Sequence, residues 1–167
     1  TYDKWSLFDA SSVVPSQWST GGFRGGAFDG RYVYFAPADD SAMVVRYDTD
    51  GPFEQESSWA SFDMQNELSA KASAYFGAGF DGQYLYFIPH GGFSTEHGLV
   101  VRYDTGKEFA DRESWELFDV EAKCQLSATG YAGAAFDGQY LYLVPAGHGI
   151  VVRYDTKSMK FDDADSC

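Results

Sequence analysis

Three features of the 167-residue sequence predict an all-β fold built from three four-stranded repeats. The chain has thirty aromatic residues (14 Phe, 12 Tyr, 4 Trp) but only eight Leu, a balance that favours strands over helices. Its eighteen Gly and five Pro suit many tight turns better than a disordered linker. The third feature is internal repetition, which settles the organisation. Phe-Asp-Gly recurs at 28–30, 80–82 and 136–138, VVRYDT at 44–49, 100–105 and 151–156, and W-x-x-F-D at 5–9, 59–63 and 115–119.

Each repeat reads as strands a, b, c and d. Strand a is the small-residue run into Phe-Asp-Gly (YFGAGF, YAGAAF), and its Asp-Gly pair predicts a type I′ hairpin turn. Asp29, Asp81 and Asp137 are therefore read as turn formers rather than catalytic or metal-binding groups. Strand b follows as RYVYFAP, QYLYFIP and QYLYLVP, almost continuously apolar, as a strand covered on both faces must be. Strand c is VVRYDT, whose Arg46, Arg102 and Arg153 are expected to form salt bridges between neighbouring units. Strand d is the W-x-x-F-D element.

The ends are complementary. DTGKEFADRES before Trp115 aligns with DTKSMKFDDADS before Cys167, so the last repeat stops where a strand d is due. The single domain 1–167 thus divides at about 5–58, 59–114 and 115–167, with residues 1–9 expected to complete the last repeat.

The Tyr-Asp closing strand c, a Trp about ten residues later, and a Gly/Ala-rich strand before D-G-x-Y-x-Y resemble the kelch-like repeats of β-propellers. The chain departs from them at Pro37, Pro89 and Pro145, where kelch units carry a double glycine. The resemblance implies blades around an axis, with strand a crowded at the centre. Three blades fall short of the usual four to eight, so the expected architecture is half of a six-bladed β-propeller closed by homodimerisation, the two half-rings exchanging their terminal strands. The alternative is a β-trefoil, which also has three four-stranded repeats.

Twelve Lys and Arg against twenty-five Asp and Glu give a net charge of −13, which argues against nucleic acid or an anionic membrane as partner. No apolar run approaches the ~18 residues of a membrane span. The chain opens on Thr1 without the charged head and apolar run of a signal peptide, which reads as a processed, secreted protein or an excised piece. Cys124 and Cys167 fit neither a redox nor a zinc spacing. They read as one extracellular disulfide, or else as two unrelated thiols.

Function is expected where the repeats differ. The b–c loops (38–42, 90–98, 146–149) and d–a loops (10–22, 64–73, 120–130) vary and share one end of the meander, while the a–b turns are uniform. The variable end carries Trp18, Asp39, Asp40, His90, His97 and His148. The start of strand a adds Phe23 and Arg24, Tyr75 and Phe76, and Tyr131 with Ala132. Aromatic faces beside polar groups suit sugar recognition, so the expected function is a multivalent, non-catalytic lectin for neutral or amino sugars. No cofactor or metal is expected, the three histidines lacking a clear fourth ligand. The alternatives are a glycan-active hydrolase or lyase on the same face, which needs two carboxylates in one cleft, and a structural or protein-binding scaffold.

Overall fold

The computed structural model describes residues 4–15, 22–38, 41–90, 97–124, 129–157 and 161, with the backbone alone at Cys124. The first sheet is β1 (Phe23–Phe28), β2 (Tyr32–Pro37), β3 (Met43–Asp48) and β4 (Trp59–Asp63), and the second is β5 (Tyr75–Phe80), β6 (Tyr84–Pro89), β7 (Leu99–Asp104) and β8 (Trp115–Asp119). The third holds β9 (Tyr131–Phe136), β10 (Tyr140–Pro145) and β11 (Val152–Asp155). Every sheet is an antiparallel meander of consecutive strands, and strand d of the first two, Trp59–Asp63 and Trp115–Asp119, pairs with the strand c before it. No barrel closes among the described strands, which corrects the β-trefoil alternative. The described strands do not close a propeller either.

The sheets pack one on the next through strands a and b. Strand a permits this because it is small. A Cβ on Gly25 would lie 2.9 Å from the Gly77 Cα, and one on Gly77 would lie 2.7 Å from the Gly133 Cα. Both distances are below any real carbon contact, so the inner strands need glycine there. The second sheet is covered on both faces, and Leu85, Tyr86, Phe87 and Ile88 of β6 are all buried.

Aromatic contacts step from each repeat to the following one. Phe62 stacks on Trp115 at 4.1 Å and 4° between planes, Tyr34 meets Tyr103 at 5.9 Å, and Tyr86 meets Tyr154 at 6.2 Å. The Arg46 guanidinium lies over Phe109 of the second repeat, and that of Arg102 over Phe161 of the third, each at 4.3 Å. Among the described residues, Arg46 and Arg102 make these cation–π contacts to the next unit where salt bridges are expected from the sequence. The carboxylate partner of Arg102 is Glu116 on the adjacent strand of its own sheet, 2.8 Å away.

The turns differ from the expected type I′ pairs. Asp81 N–H donates to Tyr84 O across the hairpin, so the central residues are Gly82 and Gln83. Only the glycine has positive φ, at 101°, and Gly30 and Gly138 repeat it at 105° and 104°. Asp81 has become a scaffold: Oδ1 accepts from Gln83 N–H at 2.8 Å and Tyr84 N–H at 2.6 Å, and Oδ2 accepts from the Tyr86 hydroxyl at 2.8 Å. Asp29 and Asp137 make the same three bonds.

The aspartate ending W-x-x-F-D caps the turn that follows. Asp9 caps a 3-10 turn (Ala10–Val13), Asp63 caps α1 (Met64–Glu67), and Asp119 accepts from Ala122 N–H in α2 (Val120–Cys124). The N-terminal W-x-x-F-D differs from its counterparts in one respect. Among the described residues, 5–9 form no strand and pair with none of the strands of the third sheet. Phe8 instead stacks on Trp59 of the first sheet, at 4.3 Å and 8°. The proposed partners Cys124 and Cys167 fall outside the described side chains.

Replacing Asp81 with Ala strands two backbone donors and the nearly buried Tyr86 hydroxyl. We expect Asp81→Ala to cost about 2–3 kcal/mol in urea unfolding. A loss below about 0.5 kcal/mol would show that water replaces the carboxylate at no cost.

Candidate functional site

The b–c and d–a connections meet at one end of the sheets, tied by Met64 N–H to Ala42 O and by Val120 N–H to Gly98 O. The expected site residues fall into three groups there. Trp18, Asp39 and Asp40 lie outside the described residues.

The second group is structural. His97 is buried: its Nδ1 accepts from Leu99 N–H at 3.2 Å and its Nε2 meets Ser73 O at 2.7 Å. Accepting at Nδ1 fixes the neutral tautomer with its proton on Nε2, which donates to the carbonyl. His148 repeats the arrangement with Ile150 N–H and Thr129 O. Both rings thus brace a b–c loop against the preceding d–a loop, with neither nitrogen left for a ligand. Tyr75 lies edge-on to His97 at 5.8 Å, and Tyr131 edge-on to His148 at 5.2 Å. Both tyrosines are fully buried, which closes their faces to a sugar, and their hydroxyls have no hydrogen-bond partner among the described residues.

Ser41 was not singled out in the sequence, yet it fills the histidine position in the first repeat. Its hydroxyl accepts from Met43 N–H, two residues on, as the histidines accept from Leu99 and Ile150. Its place two residues before strand c was the available signal. Ala74 also went unmarked: it holds φ 61° where the other repeats have Gly22 and Gly130 at 86° and 77°. A non-glycine residue in the left-handed region stores backbone strain beside the site.

The third group remains at the surface. Phe76 stacks on His90 at 3.5 Å and 8°, and the Arg24 guanidinium lies 4.3 Å from the Phe76 ring centre. Both partners approach face-on and one face cannot hold both, so the ring is a sandwich between arginine and histidine. His90 donates from Nδ1 to Tyr131 O at 3.1 Å, and its own carbonyl accepts from Gly130 N–H at 3.0 Å. One stack therefore spans all three repeats, with Arg24 exposed and Phe76 and His90 half-buried. Phe23 is half-buried too, 5.5 Å from Phe35. Among the described residues, no three His, Cys, Asp or Glu side chains cluster to hold a metal ion.

Burial holds His97 below the ordinary histidine value, against opposing contributions from Ser73 O, Asp119 and Glu121 and with a small one from Lys71 in its favour. The unfolded chain takes up this proton near pH 6.5, and the folded chain only at lower pH. The unfolded state therefore binds more protons just below pH 6.5, and stability falls as the pH drops through that window. The melting temperature should decline from pH 7.5 to 5 less steeply in His97→Gln than in the wild type. Equal slopes would remove His97 as the cause.

No protein-family model matches the chain, and a comparison with curated proteins finds no match.

Proposed function

We propose that the protein binds carbohydrate without transforming it, as half of a six-bladed β-propeller whose other half is a second copy. The observation that carries the binding reading is the Arg24–Phe76–His90 stack at the end of the sheets where the loops vary. An exposed guanidinium backed by an aromatic ring offers a flat face for sugar C–H groups and donors for hydroxyls. The opposite end is committed elsewhere, since Asp29, Asp81 and Asp137 each spend both carboxylate oxygens on their own turn. A net charge of −13 favours neutral or amino sugars over anionic ones. Weak sites repeated in a dimer gain strength against a multivalent glycan. The setting is extracellular, where a Cys124–Cys167 disulfide would persist.

A glycan array followed by titration with free sugars tests this reading. Arg24→Ala removes an exposed side chain and should weaken binding at least tenfold, whereas Tyr131→Phe, at a closed and buried ring, should leave it unchanged. Binding undiminished in Arg24→Ala would move the site elsewhere. Silence on the array, or turnover of any glycoside, would sink the lectin reading.

A further inference from the structure

We infer that Arg46 is a binding site for a small organic carboxylate, which takes at the first sheet the place that the Glu116 side chain fills at the second. The inference is independent of the sugar-binding reading, since it concerns the seam between two sheets and not the end where the loops vary.

Arg46 and Arg102 sit in matching frames. Arg46 lies opposite Ala60 on the adjacent strand, and Arg102 lies opposite Glu116 in the same register. The Arg46 guanidinium is 4.1 Å from the Tyr32 ring centre and 4.3 Å from that of Phe109. That of Arg102 is 4.1 Å from Tyr84 and 4.3 Å from Phe161. Each guanidinium is thus held by a tyrosine of its own strand b and a phenylalanine of the following repeat. Rings against its faces leave the planar edge of a guanidinium for hydrogen bonding, and all its N–H donors point along that edge.

The two sites differ in what meets the edge. At Arg102 it is a carboxylate, with Nη2 donating to Glu116 Oε2 at 2.8 Å. At Arg46 the adjacent strand presents only the Ala60 methyl group. Among the described residues, the one hydrogen bond of Arg46 is long, from Nη1 to the Tyr103 hydroxyl at 3.4 Å. Two acids of the same repeat are committed elsewhere. Asp29 Oδ2 accepts from the Tyr34 hydroxyl at 2.7 Å, and Asp48 accepts from Arg31 at 3.1 and 2.8 Å. Exposure follows the same difference: Arg102 is 8% exposed, whereas Arg46 is half-buried. The Glu116 side chain is itself 42% exposed, so a carboxylate reaches this place from water.

The repeat also sets the size and charge of the ligand. A glutamate side chain exceeds that of alanine by one methylene and a carboxylate, which together have the dimensions of acetate. Two carboxylate oxygens in a plane match the guanidinium edge, and the charge-assisted bond is among the strong ones. The net charge of −13 repels a polyanion at long range. A single carboxylate at contact distance, beside rings that exclude water, feels mainly the guanidinium. The ligand class is therefore a short-stemmed monocarboxylate.

The test is a titration with acetate at neutral pH and constant ionic strength, followed at the arginine Nε–H resonances, with acetamide as the uncharged probe of the same shape. The Arg46 signal should shift saturably with acetate and not with acetamide, and the Arg102 signal should stay in place. Ala60→Glu carries the second repeat's own carboxylate to Arg46, so it should keep the wild-type circular dichroism and weaken the acetate response at least tenfold. Glu116→Ala should confer the response on Arg102. An Arg46 signal that does not move, or one that acetamide moves equally, overturns the proposal. So does a non-saturating drift shared by all the arginines, the mark of an adventitious ion only. An undiminished response in folded Ala60→Glu, or none at Arg102 in folded Glu116→Ala, overturns it as well, and either variant decides by itself if the other fails to fold.

Discussion

The close approach of the inner strands is the constraint on which the rest of the structure depends. Backbone meets backbone at Gly25, Gly77 and Gly133, and a methyl group at Gly77 would already fall 2.7 Å from the neighbouring Cα. That proximity brings strand b of one sheet against strand c of the next. The aromatic steps Tyr34–Tyr103 and Tyr86–Tyr154 and the two cation–π contacts follow from it. Such a sheet has two apolar faces and cannot bury either alone, so each repeat needs neighbours on both sides. A large apolar side chain left in water forgoes about 1.5–3 kcal/mol. Trp5, Leu7, Ile150 and Val151, on the first and third repeats, are exposed, whereas their counterparts beside the second sheet are covered.

The acidity of the chain acquires a structural meaning. Many aspartates act as local acceptors for backbone N–H groups rather than as a charged surface for a ligand. Asp29, Asp81 and Asp137 hold the hairpins, and Asp9, Asp63 and Asp119 start the turns after W-x-x-F-D. Asp48, Asp104 and Asp155 accept from the N–H two residues on, after strand c. The threonine after each of these last three donates its hydroxyl to the carbonyl of the residue following the Asp-Gly pair. The VVRYDT signature is thus a clamp between two turns. Its repetition reflects folding, which leaves chemistry to positions that are not repeated.

The sequence made the strands, their order and the two kinds of end legible, because periodicity and turn residues report local structure. It misplaced what depends on a side chain replacing backbone. The Asp-Gly pairs read as central turn residues, but the carboxylate of Asp81 takes the acceptor's part and moves the turn one residue on. Histidine roles were hidden for a different reason: the carbonyl partners of His97 and His148 lie 24 and 19 residues away, on another loop. Tyr75 and Tyr131 looked like sugar platforms because a sequence shows the aromatic ring and not the loop folded over it. The sandwich of Arg24, Phe76 and His90 joins two repeats to a third, and no spacing announces that.

The position occupied by Ser41, His97 and His148 shows how such a scaffold can vary without losing its shape. What the fold requires there is one acceptor for the N–H two residues on, and a hydroxyl or an imidazole nitrogen meets that need. Imidazole also brings a second nitrogen and a flat ring, which reach the preceding loop and close over a tyrosine in the second and third repeats. The first repeat has serine, and the residue at the start of its strand a, Phe23, is half-buried. The shared position thus carries an aromatic-facing ring in two repeats and a hydroxyl in the other. Repeats with a common frame therefore present unlike surfaces at their variable end, and any binding site there differs from one repeat to the next.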